Sequence, residues 1–169
     1  GVFDAAGITA QRTAAVSAFA LQHLLPQLSG PVVLVGTGVQ AAAHVDALAV
    51  QYPGATLTVV GRNVPAAQAL ADRARKAGLR AAAQAEALPA LTCAAELLVT
   101  ATSSGTPVVA DAVDARAVIV AVGNYRAHCS ELPPSLVRRC RVYVDSLHGA
   151  QVEAGELIAA GLDMQALQA

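Results

Sequence analysis

Residues Gly36-Thr37-Gly38-Val39-Gln40-Ala41 form a G-x-G-x-x-A string directly after Val32-Val33-Leu34-Val35, a continuous apolar run. Such a run suits a strand buried on both faces. At a strand–helix junction the small residues have separate tasks. Gly36 permits a tight turn, Gly38 lets a pyrophosphate approach the backbone, and Ala41 keeps the helix close to the strand. The helix N-terminus beyond them offers amide donors and positive dipole to an anion. Thr37, Val39 and Gln40 lie inside the turn and are expected at the phosphates with the glycines. The same string could also make a tight turn that holds no nucleotide.

The second apolar run, Thr56 to Val60, ends in Gly61-Arg62-Asn63. Sites for NAD commonly place Asp or Glu here, about 20 residues after the glycines, to hold the ribose 2′-hydroxyl. No carboxylate occurs between Leu57 and Ala71. The planar fork of Arg62 suits a 2′-phosphate instead. NADP(H) is therefore the expected cofactor, with NAD(H) possible, and Gly61, Arg62 and Asn63 the residues beside its adenosine. An Arg stacked on the adenine of either cofactor is the alternative.

Thr100, Ala101, Thr102, Ser103 and Ser104 stand where a fourth strand meets its loop. Hydroxyls there could bond phosphate, ribose or the nicotinamide amide, or simply cap the next segment. Gly123-Asn124-Tyr125-Arg126 follows a fifth strand. Gly123 would leave room for a nicotinamide ring and Tyr125 or Arg126 could reach a substrate, but Gly123 could equally just end the strand. Glu131, before Pro133-Pro134, reads as a first-turn helix carboxylate. Asp145 and Ser146 read as a cap. His23, His44, His128 and His148 have no metal-ligand spacing and are expected to be satisfied or exposed imidazoles, so no metal is expected. Cys93, Cys129 and Cys140 form no C-x-x-C pair and read as core or near-core thiols.

These residues need a frame. A first helix is expected from Thr9, its N-cap, to before Pro26. Strands are expected at Val32–Val35, Thr56–Val60, Leu79–Ala83, Leu97–Ala101, Val118–Val122 and Val142–Val144. Helices follow the first, second and fifth of them, near Val39–Val50, Pro65–Arg75 and Pro133–Arg139, and a last helix covers Glu153–Ala160. Six apolar strands with helical crossovers imply an α/β fold, a doubly wound parallel sheet of the Rossmann type. Residues 31–169 would be its NAD(P)-binding domain, and residues 1–30 a connecting helix.

Composition narrows the class. The 169 residues are 55% hydrophobic and 14% charged, with a formal net charge of −1. That excludes disorder and argues against a nucleic-acid or polybasic membrane surface. No apolar run approaches the roughly 18 residues of a membrane span. The unpaired cysteines point to a reducing, cytoplasmic setting. A start at Gly1 and so few charges suggest a piece of a larger protein, its surface covered by another domain or subunit.

With these strings in view, the chain resembles the ornithine cyclodeaminase/mu-crystallin family. The resemblance runs in order through Ile8 to Ala18, the Gly36–Ala41 string, Val60-Gly61-Arg62, Thr100 to Ser104, Val122-Gly123, Glu131-Leu132, Val144-Asp145-Ser146 and Glu153 to Leu157. It implies a protein about twice this long, whose other part forms a substrate and dimerisation domain, so that a homodimer is expected through that part. It also implies that Arg12 helps bind the substrate carboxylate, with Thr13 beside the cofactor. From the residues alone, Arg12 could be an ordinary exposed helix position. True cyclodeaminases carry an Asp in the loop after the fifth strand, and here Tyr125 stands near that position. The implied activity is therefore NAD(P)H-dependent reduction of a cyclic imine such as Δ1-pyrroline-2-carboxylate, or amino-acid dehydrogenation, with a small amino-acid or imine substrate. Ornithine cyclodeamination, or NADPH-dependent ligand binding of the mu-crystallin kind, are the alternatives.

Overall fold

The computed structural model describes residues 4–122, 127–163 and 167. Five parallel strands form one sheet in the order β3-β2-β1-β4-β5: β1 (Val32–Val35), β2 (Thr56–Val60), β3 (Arg80–Gln84), β4 (Leu97–Thr100) and β5 (Val118–Ala121). The central strands are buried on both faces, as their unbroken apolar runs require. Within β1, Val32 and Leu34 enter one core while Val33 and Val35 enter the other.

The first core is closed by α1 (Ala5–Leu24), α2 (Val39–Gln51) and α3 (Val64–Lys76). The second lies under α4 (Pro89–Ala94), α5 (Pro134–Arg138), α6 (Leu147–Glu153) and α7 (Gly155–Ala160). Small residues set the spacing. Ala41, Ala67, Ala71 and Ala74 are all completely buried, so α2 and α3 lie close on the strands. Glu96 fixes the opposite, amino end of the sheet. Its carboxylate accepts hydrogen bonds from the backbone N–H groups of Ser29 and Gly30, which hold it below the usual carboxylate range.

Four expectations need correction. Asp4, not Thr9, caps α1, accepting from Gly7 N at 3.0 Å; Thr9 lies a turn inside, its hydroxyl spent on Ala5 O. Among the described residues there is no sixth strand. Tyr143 makes only an isolated bridge, and the three-residue run packs through half-buried Val142 and Val144 against the second core. The last helix starts earlier, at Leu147 after the Ser146 cap, and is broken into α6 and α7 at Ala154, whose φ −78° and ψ 83° are not helical. Of the cysteines only Cys129 is buried; Cys93 and Cys140 are exposed. No helix among the described residues is long and apolar enough to cross a membrane.

Candidate functional site

The sheet places its chemistry at the carboxyl ends of the strands. Ladder bonds continue one residue past each strand: Gly36 N donates to Val60 O at 2.9 Å, Ala101 N to Val35 O at 2.8 Å, and Gly61 N to Gln84 O at 3.0 Å. Three loops far apart in sequence thus converge on one edge, where the strand order reverses between β1 and β4. Open parallel sheets hold ligands at such a switch point.

A crevice of about 1210 Å³ opens there, larger than the roughly 300–1,000 Å³ of ordinary small-molecule pockets. Its walls include Gly36 to Gln40, Gly61 to Asn63 and Ala101 to Ser104. These are the expected cofactor residues, brought together, except Thr13, Thr100 and Gly123. Thr100 is fully buried behind the wall, and its hydroxyl oxygen has no hydrogen-bond partner among the described residues. Thr13 lines a different groove. Gly123 and Tyr125 lie outside the described residues.

A dinucleotide's phosphates fit the turn. Gly36 has φ +128°, and a Cβ on it would lie 2.2 Å from Ala101 O, so only glycine permits this approach of the two loops. A Cβ on Gly38 would meet nothing within 4 Å among the described residues. Gly38 is the N-cap of α2 with no side-chain bond across the helix end, leaving the first-turn N–H groups open to an anion. Arg62 is exposed at the crevice and makes no ion pair among the described residues. Asn63 lines the crevice and also caps α3, its Oδ1 accepting from Ala66 N at 3.0 Å. Glu86, which sequence reasoning passed over, also lines the crevice. It follows β3, a run too weakly patterned to show that its end joins the others.

Beside the crevice, a second groove runs between α1 and β5. Arg12, Thr13 and Ser17 face Val120 to Val122 across it, with Asp145 at its wall. Val122 borders both spaces. Ser146 alone caps α6, accepting from Gly149 N at 3.1 Å, which leaves Asp145 facing the groove rather than sharing the cap.

His44 links the two walls. Its Nδ1 lies 2.8 Å from Gln40 O in α2 and its Nε2 lies 2.9 Å from Ser17 Oγ in α1. A carbonyl only accepts, so Nδ1 carries the proton, while the Ser17 hydroxyl beside Nε2 also lies 3.1 Å from Thr13 O. Burial lowers its pKa below the ordinary 6.5, outweighing the opposing bond to Gln40. The unfolded chain then takes up the proton first, so stability is full above about pH 6.5 and falls as pH drops toward the folded value. Urea titrations at pH 7.5 and at about pH 5.5 should show this loss, and His44→Gln should flatten it.

Glu131 is not the first-turn carboxylate expected. It is fully buried ahead of α5, and its Oε1 accepts from Thr102 N at 2.6 Å. Short-range spacing could not reveal a partner 29 residues away.

The model of the ornithine cyclodeaminase/mu-crystallin family matches residues 1–167. The chain belongs to this family. It is 39% identical over 166 residues to the Delta(1)-pyrroline-2-carboxylate reductase 2 of Burkholderia ambifaria, covering 97% of this chain and 52% of that protein. It is 32% identical over 164 residues to the ketimine reductase mu-crystallin of Macropus fuliginosus, covering 96% and 51%. Among solved structures, the Thermococcus litoralis Delta(1)-pyrroline-2-carboxylate reductase, in complex with NADH and L-proline, superposes with a TM-score of 0.83 at 26% identity. That match covers 95% of this chain and 51% of that one. The chain spans about half the length of the relatives it matches.

Proposed function

We propose that this chain is the nucleotide-binding part of an NAD(P)H-dependent reductase of cyclic imine carboxylates, with NADP(H) the preferred cofactor. Residues 31–169 form the binding domain on this reading. Residues 1–30 lead to it from a substrate domain that also joins two copies as a homodimer. The observation that carries it is the continuity at Val122 between the glycine-walled crevice and the groove holding Arg12. When bound, the cofactor supplies hydride. The protein holds its phosphates on the Gly36–Gln40 turn and its adenosine near Arg62.

Arg12 and Asp145 supply opposite charges on one groove, which suits a substrate carrying a carboxylate and a protonated ring nitrogen. That substrate can arrive already protonated, so reduction asks little acid–base work of the chain. Ammonia loss from ornithine asks more, because general acid–base groups typically contribute about 10²- to 10⁴-fold. The Gly123-Asn124-Tyr125-Arg126 segment holds no carboxylate, and Tyr125 stands as the catalytic-position candidate in its place.

The whole protein, given Δ1-pyrroline-2-carboxylate, should consume NADPH and form proline, and should make little proline from ornithine. Release of ammonia from ornithine without net NADPH consumption would replace this reading with the cyclodeaminase one. Tight NADPH-dependent ligand binding without turnover would favour a binder.

A further inference from the structure

The crevice wall between β4 and β5 is a loop, Thr102 to Pro107, with no regular structure of its own. Most of it faces the crevice: Thr102, Ser103, Ser104, Thr106 and Pro107 are all wall residues. One residue grips both its ends. The Glu131 carboxylate accepts from Thr102 N at 2.6 Å, and the Glu131 carbonyl accepts from Val108 N at 2.9 Å. Glu131 is itself fixed by a second buried carboxylate, since its N–H donates to Glu156 Oε1 at 3.0 Å. Glu156, in α7, is also buried.

Two carboxylates in an apolar core are costly unless their lone pairs are met by donors. Packing alone would be served better by apolar side chains of the same volume. What these two accomplish that a hydrocarbon could not is to hold backbone N–H groups of the crevice loop and of its support. We propose that Glu131 is a positioning residue for dinucleotide binding, and Glu156 its anchor. Together they clasp the Thr102–Val108 segment, so that the Thr102 and Ser103 hydroxyl groups meet the cofactor preorganised rather than being ordered by it. The loop's own bonds are short-range: Ser104 N donates to Thr102 Oγ1 at 3.1 Å, and Ser104 Oγ donates to Thr106 O at 2.8 Å. They shape the turn. The clasp ties both ends of the loop to Glu131.

This rests on the crevice being a dinucleotide site, and the test separates the two claims. In the whole wild-type protein without nucleotide, the Thr102 amide should resist hydrogen exchange while the neighbouring Ser103 amide exchanges freely. Glu131→Asp withdraws the carboxylate by one methylene. It should speed Thr102 exchange and weaken NADPH binding about 10-fold or more, the scale of one charge-assisted hydrogen bond. In the same variant the KM for cofactor should rise more than kcat falls. Glu131→Gln keeps an acceptor at Oε1 and should restore both properties most of the way toward wild type. Wild-type Thr102 exchanging as fast as Ser103 would overturn the clasp, and that measurement needs no variant to fold. Normal NADPH affinity in a folded Glu131→Asp protein would also overturn it. Wild-type protein that binds neither NADPH nor NADH would instead overturn the reading of the crevice.

Discussion

Gly36→Ala should cost about 2–6 kcal/mol of stability, from left-handed backbone strain of about 1–3 kcal/mol and an overpacked contact of about 1–3 kcal/mol. The backbone at Gly36 has φ +128°, and the added Cβ would lie 2.2 Å from Ala101 O. Neither partner can yield cheaply, because Ala101 N is bonded to Val35 O and Gly36 N to Val60 O across the central strands. Gly38→Ala, two residues away, should behave oppositely. Its φ of −82° and ψ of −173° are open to any residue, and nothing among the described residues lies within 4 Å of the new Cβ. Stability should fall by only about 1 kcal/mol, the preference for Gly over Ala at an N-cap. The Cβ would occupy the place where phosphates approach the α2 terminus, so NADPH affinity should drop by at least about tenfold, or 1.4 kcal/mol. Denaturant titration and calorimetry on both variants check the pair. A Gly38→Ala protein that binds NADPH normally would show that the phosphates do not use this turn. A Gly36→Ala protein of near-normal stability would show that the loops after β1 and β4 can part.

The contrast between the two glycines marks how far sequence could carry the reading. The order Val32–Val35, glycine turn, Ala-rich helix was legible because each signal is local: an apolar run, a breaker and a period. The five strands and their parallel pairing followed from the same signals. The largest failure involves a partner distant along the chain; others are local. Glu131 looked like a helix-terminus carboxylate because its real donor, Thr102 N, is 29 residues upstream. His44 is the satisfied imidazole expected, though its partner Ser17, 27 residues away on another helix, could not be named from spacing. Val142 to Val144 carried a strand's composition, yet three residues packed on the second core do not make a ladder. Asp4 went unseen as a cap because Thr9 offered a hydroxyl nearer the obvious apolar pattern.

Two opposite charges, Arg62 and Glu86, line the crevice, and on the proposed reading cofactor preference turns on them. Arg62 follows β2, is exposed, and forms no ion pair among the described residues, so its fork is open to a ligand. Asn63 beside it has spent its carbonyl oxygen on Ala66 N, and only Glu86, after β3, brings a carboxylate to the described wall. A ribose 2′-hydroxyl needs an acceptor; a 2′-phosphate needs donors and positive charge. Arg62→Ala should therefore weaken NADPH binding by about 1.5–3 kcal/mol, the scale of a charge-assisted hydrogen bond, and leave NADH within a few-fold. Exposure places the effect toward the lower end, and added salt should shrink it further, since screening acts over about 10 Å at 0.1 M. Glu86→Gln should move the other way and favour NADPH modestly by removing a like charge from the phosphate's surroundings. Equal losses for both cofactors on truncating Arg62 would assign the guanidinium to stacking on adenine, which is common to the two. Native preference for NADH in calorimetry would shift the weight to Glu86, whose carboxylate would then be the acceptor that the β2 terminus lacks.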